Sequence, residues 1–305
     1  MPVCLNINYK NKNRMRTFLS LITLIAGLCL NAQVVTVTSD VVMTDSAAYF
    51  PQLSLDGRHL VYAPTDAHPL IMQDVATGAT RVVSDEGQPG FDAVFDAKGN
   101  IVFMTMEQRK GRLIYRGVSR YDVKNGKIKQ LLKPQHGAVH IVKGTKGMAL
   151  IGESKSKDLK KAGTVAWTQG DKLMISVNGK VRELRPVQGT VGLLWASVSP
   201  DGTKVVFEAA AKGVYVCDLQ GNHLTPLGMY LMPCWYNNEY LVAMSNAGNI
   251  RLTGSNIHLL KADGSFAQAL TDSEIAAIQP MVSGNKIVYT TKTGVVHVMT
   301  IAIQD

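Results

Sequence analysis

Ser197-Val198-Ser199-Pro200-Asp201-Gly202-Thr203-Lys204-Val205-Val206-Phe207 decides the fold. Alternating apolar residues flank a Pro-Asp-Gly turn. Gly accepts positive φ at no steric cost, and Asp caps nearby backbone N–H groups, so the stretch reads as a β-hairpin. Fold class depends on whether this hairpin occurs once or recurs.

It recurs. Leu53-Ser54-Leu55-Asp56-Gly57-Arg58-His59-Leu60-Val61-Tyr62 is the same unit, and so is Val94-Phe95-Asp96-Ala97-Lys98-Gly99-Asn100-Ile101-Val102-Phe103. Weaker copies centre on Asn237-Asn238 and Ser283-Gly284, and a degenerate one on Gly144. The six turns, at 57, 99, 144, 202, 238 and 284, lie 42, 45, 58, 36 and 46 residues apart. Five units carry a second turn: Asp74 to Gly78, Asp122 to Gly126, Asn178-Gly179, Asp218 to Gly221 and Asp263-Gly264. Short apolar runs precede and follow each one. Four strands in a repeat of 40–50 residues make a propeller blade, whose two faces are buried only by its neighbours. The expected fold is therefore an all-β, six-bladed β-propeller with four-stranded antiparallel blades. The last unit ends at Asp305 without its fourth strand, and Val34 to Thr38 is a strand without a unit. Pairing the two closes the ring and removes an open edge. A β-sandwich would supply hairpins, but not the period or the complementary ends.

The first 32 residues have a different character. Lys10, Lys12, Arg14 and Arg16 precede an apolar run from Phe18 to Leu30, which ends in Asn31-Ala32. This is the layout of a secretory signal peptide, and the run is short for a membrane span. Residues 1–32 are thus expected to be a signal peptide and residues 33–305 a single propeller domain, in the periplasm or cell envelope with no integral membrane span after cleavage. An uncleaved anchor is the alternative, and either Met1 or Met15 can be the start. The chain of 305 residues has 32 Lys+Arg and 23 Asp+Glu, a net charge of +9. Removing the four basic residues of the leader leaves +5, a weak signal for nucleic acid. The densest basic run, Lys155 to Lys161, has no interleaved aromatic and reads as a solvated loop. Of the four cysteines, Cys4 and Cys29 leave with the leader. Cys217 and Cys234 can pair or serve as small apolar residues.

The hairpins at 53–62 and 198–207, with the second turns at Asp74 to Gly78 and Asp218 to Gly221, resemble the TolB-type propeller repeat. That resemblance covers nearly all of the chain after the leader and is sharpest in units one and four. It implies an exported interaction module. The separate α/β domain that precedes the TolB propeller has no counterpart here, since about 16 residues separate Gln33 from Tyr49.

Motifs for chemistry are sparse. No G-x-S-x-G elbow, H-E-x-x-H pair or Walker A loop occurs. His136 and His140 lie four apart on an expected strand, a step of about 13 Å, too far to chelate one ion. The aspartates at 56, 74, 122, 201, 218 and 263 fall in turns, where capping explains them. Neither a cofactor nor a metal is expected. Loops from all blades converge at the channel mouth, the default binding surface. Starts of the inner strands place Tyr49, Phe50, Phe91, Asp92, His136, Trp195, Tyr230, Met232 and Gln279 there. Five of these nine are aromatic, which suits contact with an envelope protein, a peptide or a glycan; plugging of the channel explains them equally. The resulting expectation is a monomeric, non-enzymatic binding propeller, with no catalytic residues among these and no nucleic-acid partner. Its alternative is a lyase or hydrolase of glycans or small molecules using the mouth, for which Asp92 and His136 form the candidate pair.

Overall fold

Each Asp-Gly turn in the sequence becomes a hairpin through the same few bonds. In the computed structural model, the Ser199 hydroxyl donates to Asp201 Oδ1 at 2.6 Å, and Thr203 N donates to the same oxygen at 3.1 Å. Ser54 and Asp56 repeat this arrangement, with Arg58 N at 3.1 Å. Gly57, Gly99 and Gly202 take φ of 70, 78 and 76°, a region where a Cβ would strain the backbone. These bonds hold Asp56 below the usual carboxylate range, the Ser54 hydroxyl most strongly. The turn aspartates are therefore capping residues. The structure describes residues 34–64, 67–90, 92–108, 112–245 and 254–304. The segment expected to be a signal peptide, residues 1–32 with Cys4 and Cys29, and the mouth candidate Phe91 lie outside them.

Six blades follow in chain order. The first holds β2 (Tyr49–Leu53), β3 (His59–Ala63), β4 (Leu70–Asp74) and β5 (Thr80–Ser84). In the second are β6 (Val94–Phe95), β7 (Ile101–Gln108), β8 (Ile114–Tyr121) and β9 (Ile128–His136). The fourth comprises β15 (Leu193–Val198), β16 (Lys204–Ala209), β17 (Gly213–Asp218) and β18 (Thr225–Gly228). Strands β19 (Tyr230–Trp235), β20 (Tyr240–Ser245), β21 (Ile257–Lys261) and β22 (Ala267–Ala269) form the fifth. In the sixth, β23 (Ala277–Ser283), β24 (Lys286–Thr291) and β25 (Val296–Gln304) are completed by β1 (Val34–Val42), giving the sheet order β1-β25-β24-β23.

The third unit departs from four strands. Its inner hairpin, β10 (Val139–Lys143) and β11 (Met148–Gly152), stands beside a three-stranded sheet of β12 (Thr164–Gln169), β13 (Lys172–Val177) and β14 (Lys180–Leu184). The hairpin turn is tied to the start of β12, with Thr145 N on Thr164 O at 3.1 Å and Lys146 N on Ala162 O at 3.0 Å. The extra strand accounts for the 58-residue gap in the period. The basic run lies in the exposed connection before β12.

Alternation along each strand builds the core. On β16, Val205 and Phe207 pack against the third unit, while Val206 packs against the fifth blade. Phe207 and Val206 are fully buried, and each contributes about 1.5–3 kcal/mol of apolar transfer. This is why one blade cannot stand alone.

The chain divides into two compact units. Residues 37–301 hold the propeller, and a small unit contains residues 34–36 and 302–304. Within the larger unit the closing strand is held by side chains as well as by its ladder. Thr38 Oγ1 donates to Thr300 O at 3.1 Å, and Tyr289 OH donates to Asp40 Oδ2 at 2.6 Å. His297 Nδ1 lies 3.2 Å from Asp40 Oδ1, and its ring stacks on Tyr289 at 4.9 Å. Both cysteines are free: Cys217 is buried in the core, and the Cys234 thiol donates to the carbonyls of Val242 and Pro280 at 3.6 Å each.

Candidate functional site

The inner strands set one residue per blade at a common height. Counting back three residues from Leu53, Phe95, Lys143, Val198, Trp235 and Val282, all paired just before the first turn of their units, gives Phe50, Asp92, His140, Trp195, Met232 and Gln279. Four of the six share a further mark. Phe50, Trp195, Met232 and Gln279 have φ of 54, 53, 51 and 54°, each at a register shift in its strand. A left-handed conformation costs a bulky residue about 1–2 kcal/mol, and such strain gathers where a side chain must be aimed. Neighbouring blades supply partners for the displaced amides. Phe50 N donates to Gln279 Oε1 at 2.8 Å, and Met232 N donates to Glu208 Oε2 at 3.1 Å.

Of the residues expected at the mouth, Phe50, Asp92, Trp195, Met232 and Gln279 take these positions in their units. Tyr49 stands one residue earlier on β2. Tyr230 begins β19 with its ring 5.0 Å from that of His258. His136 is a correction. It ends β9, the outer strand of the second blade, paired with Tyr115 and in edge contact with that ring at 6.0 Å. The nine-residue outer strand carries the chain four residues further than expected before the next inner strand begins. His140 therefore takes the third position in the ring, and no Asp92–His136 pair exists.

The polar groups here have unusual environments. Among the described residues Asp92 makes no hydrogen bond or ion pair, and burial raises its carboxyl to about 6. Burial lowers the imidazole pKa of His140 and raises the carboxyl pKa of Glu208, the latter against its bond from Met232 N. Lys143 ends β10, three residues below His140, and burial lowers its pKa. Burial also raises the Cys234 thiol to about 12, with the Lys143 charge acting in the opposite direction. On the fourth blade, Ser197 Oγ is buried without a partner among the described residues. Among the described residues, no group of three or more His, Cys, Asp or Glu side chains could hold a metal ion. The mouth is two-sided in character. Its fourth-blade side is apolar and exposed, with Val191 at 89 %, Leu194 at 46 % and Trp195 at 39 %. The second and third blades contribute Asp92 and His140, and the fourth adds Glu208.

No family model matches the chain, and no curated protein sequence does. Solved structures do match its fold. A gluconolactonase from Xanthomonas campestris aligns over 90% of this chain and 96% of its own, at 10% identity and a TM-score of 0.52. TolB from Acinetobacter baumannii aligns over 73% of this chain at 15% identity and a TM-score of 0.49. The chain spans about half the length of that protein, 53%. An oligogalacturonate lyase from Vibrio parahaemolyticus aligns over 85% of this chain and 79% of its own, at 12% identity and a TM-score of 0.47. At these identities the likeness is one of fold, and the class it defines is the six-bladed propeller.

The expectation of a non-enzyme is corrected here. It rested on the sparse motifs for chemistry and the aromatic character of the mouth. A propeller of nearly the same extent is itself a gluconolactonase, so this fold without an added domain does not mark a binding module. Among the described residues, no helix is long and apolar enough to cross a membrane.

Proposed function

We propose that this propeller is an enzyme of the lyase or hydrolase type, acting on a small molecule or glycan unit at its channel mouth, with Asp92 as general base. One observation carries the reading: an unpartnered carboxyl at the inner-strand ring is held near 6 by burial alone. A base is most effective when its pKa lies near the working pH, because it is then both ionised and basic enough to take a proton. At pH 7 Asp92 is mostly ionised. Among the described residues none bonds to its oxygens, so they can accept a proton from a bound ligand. His140, at the same level on the next blade, is kept neutral by burial and can give or take a hydrogen bond. The apolar fourth-blade side supplies area against which the ligand is held. The leader-like residues 1–32 and the TolB-type repeats support a periplasmic or cell-envelope setting.

A second reading concerns the same mouth. Val191, Leu194 and Trp195 expose apolar surface on one blade, which suits capture of an envelope protein or peptide. The deciding experiment compares wild type and Asp92→Asn on a panel of glycans, lactones and esters. Turnover that falls by 100-fold or more in a folded Asp92→Asn protein supports the enzyme. Turnover unchanged by that substitution, or absent from the whole panel while Trp195→Ala abolishes capture of an envelope protein, refutes it.

A further inference from the structure

Space is left between the first and second blades where other blades are filled. Four or five residues after its turn glycine, the second strand of a blade pairs a large side chain with one on the third strand, on the face toward the preceding blade. The pairs are Tyr62 with Ile71 in the first blade, Phe207 with Tyr215 in the fourth and Tyr289 with His297 in the sixth. The last two pairs stack, with ring centroids 5.9 and 4.9 Å apart. In the second blade the same pair is Phe103 with Ser119. A serine stands where the fourth blade has a tyrosine, and a cavity of about 410 Å³ opens there. That volume is within the range of small-molecule sites. Buried Val83 and Phe103 line it, as do the exposed apolar residues Val82 and Ile128.

The polar lining is unsatisfied. Ser119 is 5% exposed, and its hydroxyl has no hydrogen-bond partner among the described residues. Thr105 Oγ1, also in the lining, is buried without a partner among the described residues. Buried hydroxyls cost stability until something bonds them. Ser84 Oγ accepts from Glu86 N at 3.4 Å, so its own proton remains for a ligand. Asp85 and Glu86 are exposed in the same lining, and among the described residues neither makes an ion pair. No Lys, Arg or His lines the cavity.

We propose that this groove binds a small hydroxylated amine about the size of an amino sugar, with its ammonium on Asp85 and Glu86 and its hydroxyls on Ser119 and Ser84. Carboxylates only accept hydrogen bonds, and an ammonium brings three donors and the opposite charge. Two carboxylates are too few for a metal ion, and no third ligand stands with them among the described residues. A neutral sugar would leave both acids unpaired. An amine without hydroxyls would leave Ser119 unbonded. Val82, Val83 and Ile128 supply apolar contact for the carbon frame. The groove lies between outer parts of two blades, and its ligand does not depend on Asp92 or the channel mouth.

The test is calorimetric titration of the full chain with three probes of one ring size. D-glucosamine carries charge and hydroxyls, D-glucose hydroxyls alone, and cyclohexylamine charge alone. Wild type is expected to bind glucosamine at least tenfold more tightly than either of the others. Ser119→Tyr restores the ring pair of the fourth blade and fills the cavity, so it should abolish glucosamine binding. The double variant Asp85→Asn/Glu86→Gln should weaken it at least tenfold. Both of these positions are exposed, so this variant keeps the test decisive if Ser119→Tyr does not fold. The site is overturned if wild type does not bind glucosamine, or if a folded Ser119→Tyr protein binds it as wild type does. Equal affinity in the double variant overturns the ammonium assignment, and so does glucose binding as tight as glucosamine binding. Cyclohexylamine binding as tight as glucosamine binding overturns the role of the hydroxyls.

Discussion

Replacing Asp92 with Asn should make the protein more stable, and only at higher pH. A carboxyl held near 6 in the fold, against an ordinary value of 3.8, binds its proton more tightly folded than unfolded. Its favourable contribution is complete below about pH 4 and is lost as pH rises through 6. The shift corresponds to about 3 kcal/mol once both states are ionised. Asn keeps the shape and carries no charge. The stability difference between Asp92→Asn and wild type, measured by urea unfolding at pH 4 and pH 8, should therefore change by up to about 3 kcal/mol in favour of the variant at pH 8. A difference that is the same at both pH values would show that Asp92 is not desolvated in the fold, and the reasoning about its basicity would fail with it. The expected pattern, stability given up at a site that works, is a common one in enzymes.

Tyr289→Phe removes the hydroxyl that donates to Asp40 on the closing strand. It should cost about 1–2 kcal/mol and speed hydrogen exchange across Val296 to Ile301 more than in the fourth blade. Trp195→Gly relieves a left-handed tryptophan that is 39 % exposed, so stability should stay within about 1 kcal/mol of wild type. A loss above 3 kcal/mol would mean that the indole plugs the channel. Burial pushes both the Cys217 and Cys234 thiols up to about 12. Neither should react with a disulfide reagent at pH 8 until the protein is unfolded, and rapid labelling of either in the folded state would contradict this.

Turn chemistry made the fold legible. Asp56-Gly57 and Asp201-Gly202 announce their hairpins because few residue pairs suit that backbone, and the unmatched strand at 34–38 announced the closure. The gap of 58 residues was the trace of the extra strand in the third unit, but Gly170-Asp171, the turn that precedes β13, resembles many loops. The site was harder to read for three physical reasons. The left-handed residues of the ring are Phe, Trp, Met and Gln, types with no preference for that conformation, so tertiary contacts such as Gln279 to Phe50 N must impose it. His136 and His140 are separated only by where β9 ends, which side-chain alternation does not encode. Asp92 was identifiable from its place before an inner strand; its raised pKa depends on what surrounds it in space.

The pH dependence of turnover tests the central claim most directly. With the substrate found in the panel, kcat/KM of wild type should rise with unit slope below an apparent pKa of about 6 and level off above it. In Asp92→Asn that limb should vanish and the plateau fall by about 100-fold or more. A wild-type profile flat from pH 5 to 8, or an Asp92→Asn profile that keeps the same limb and height, would contradict Asp92 as the base.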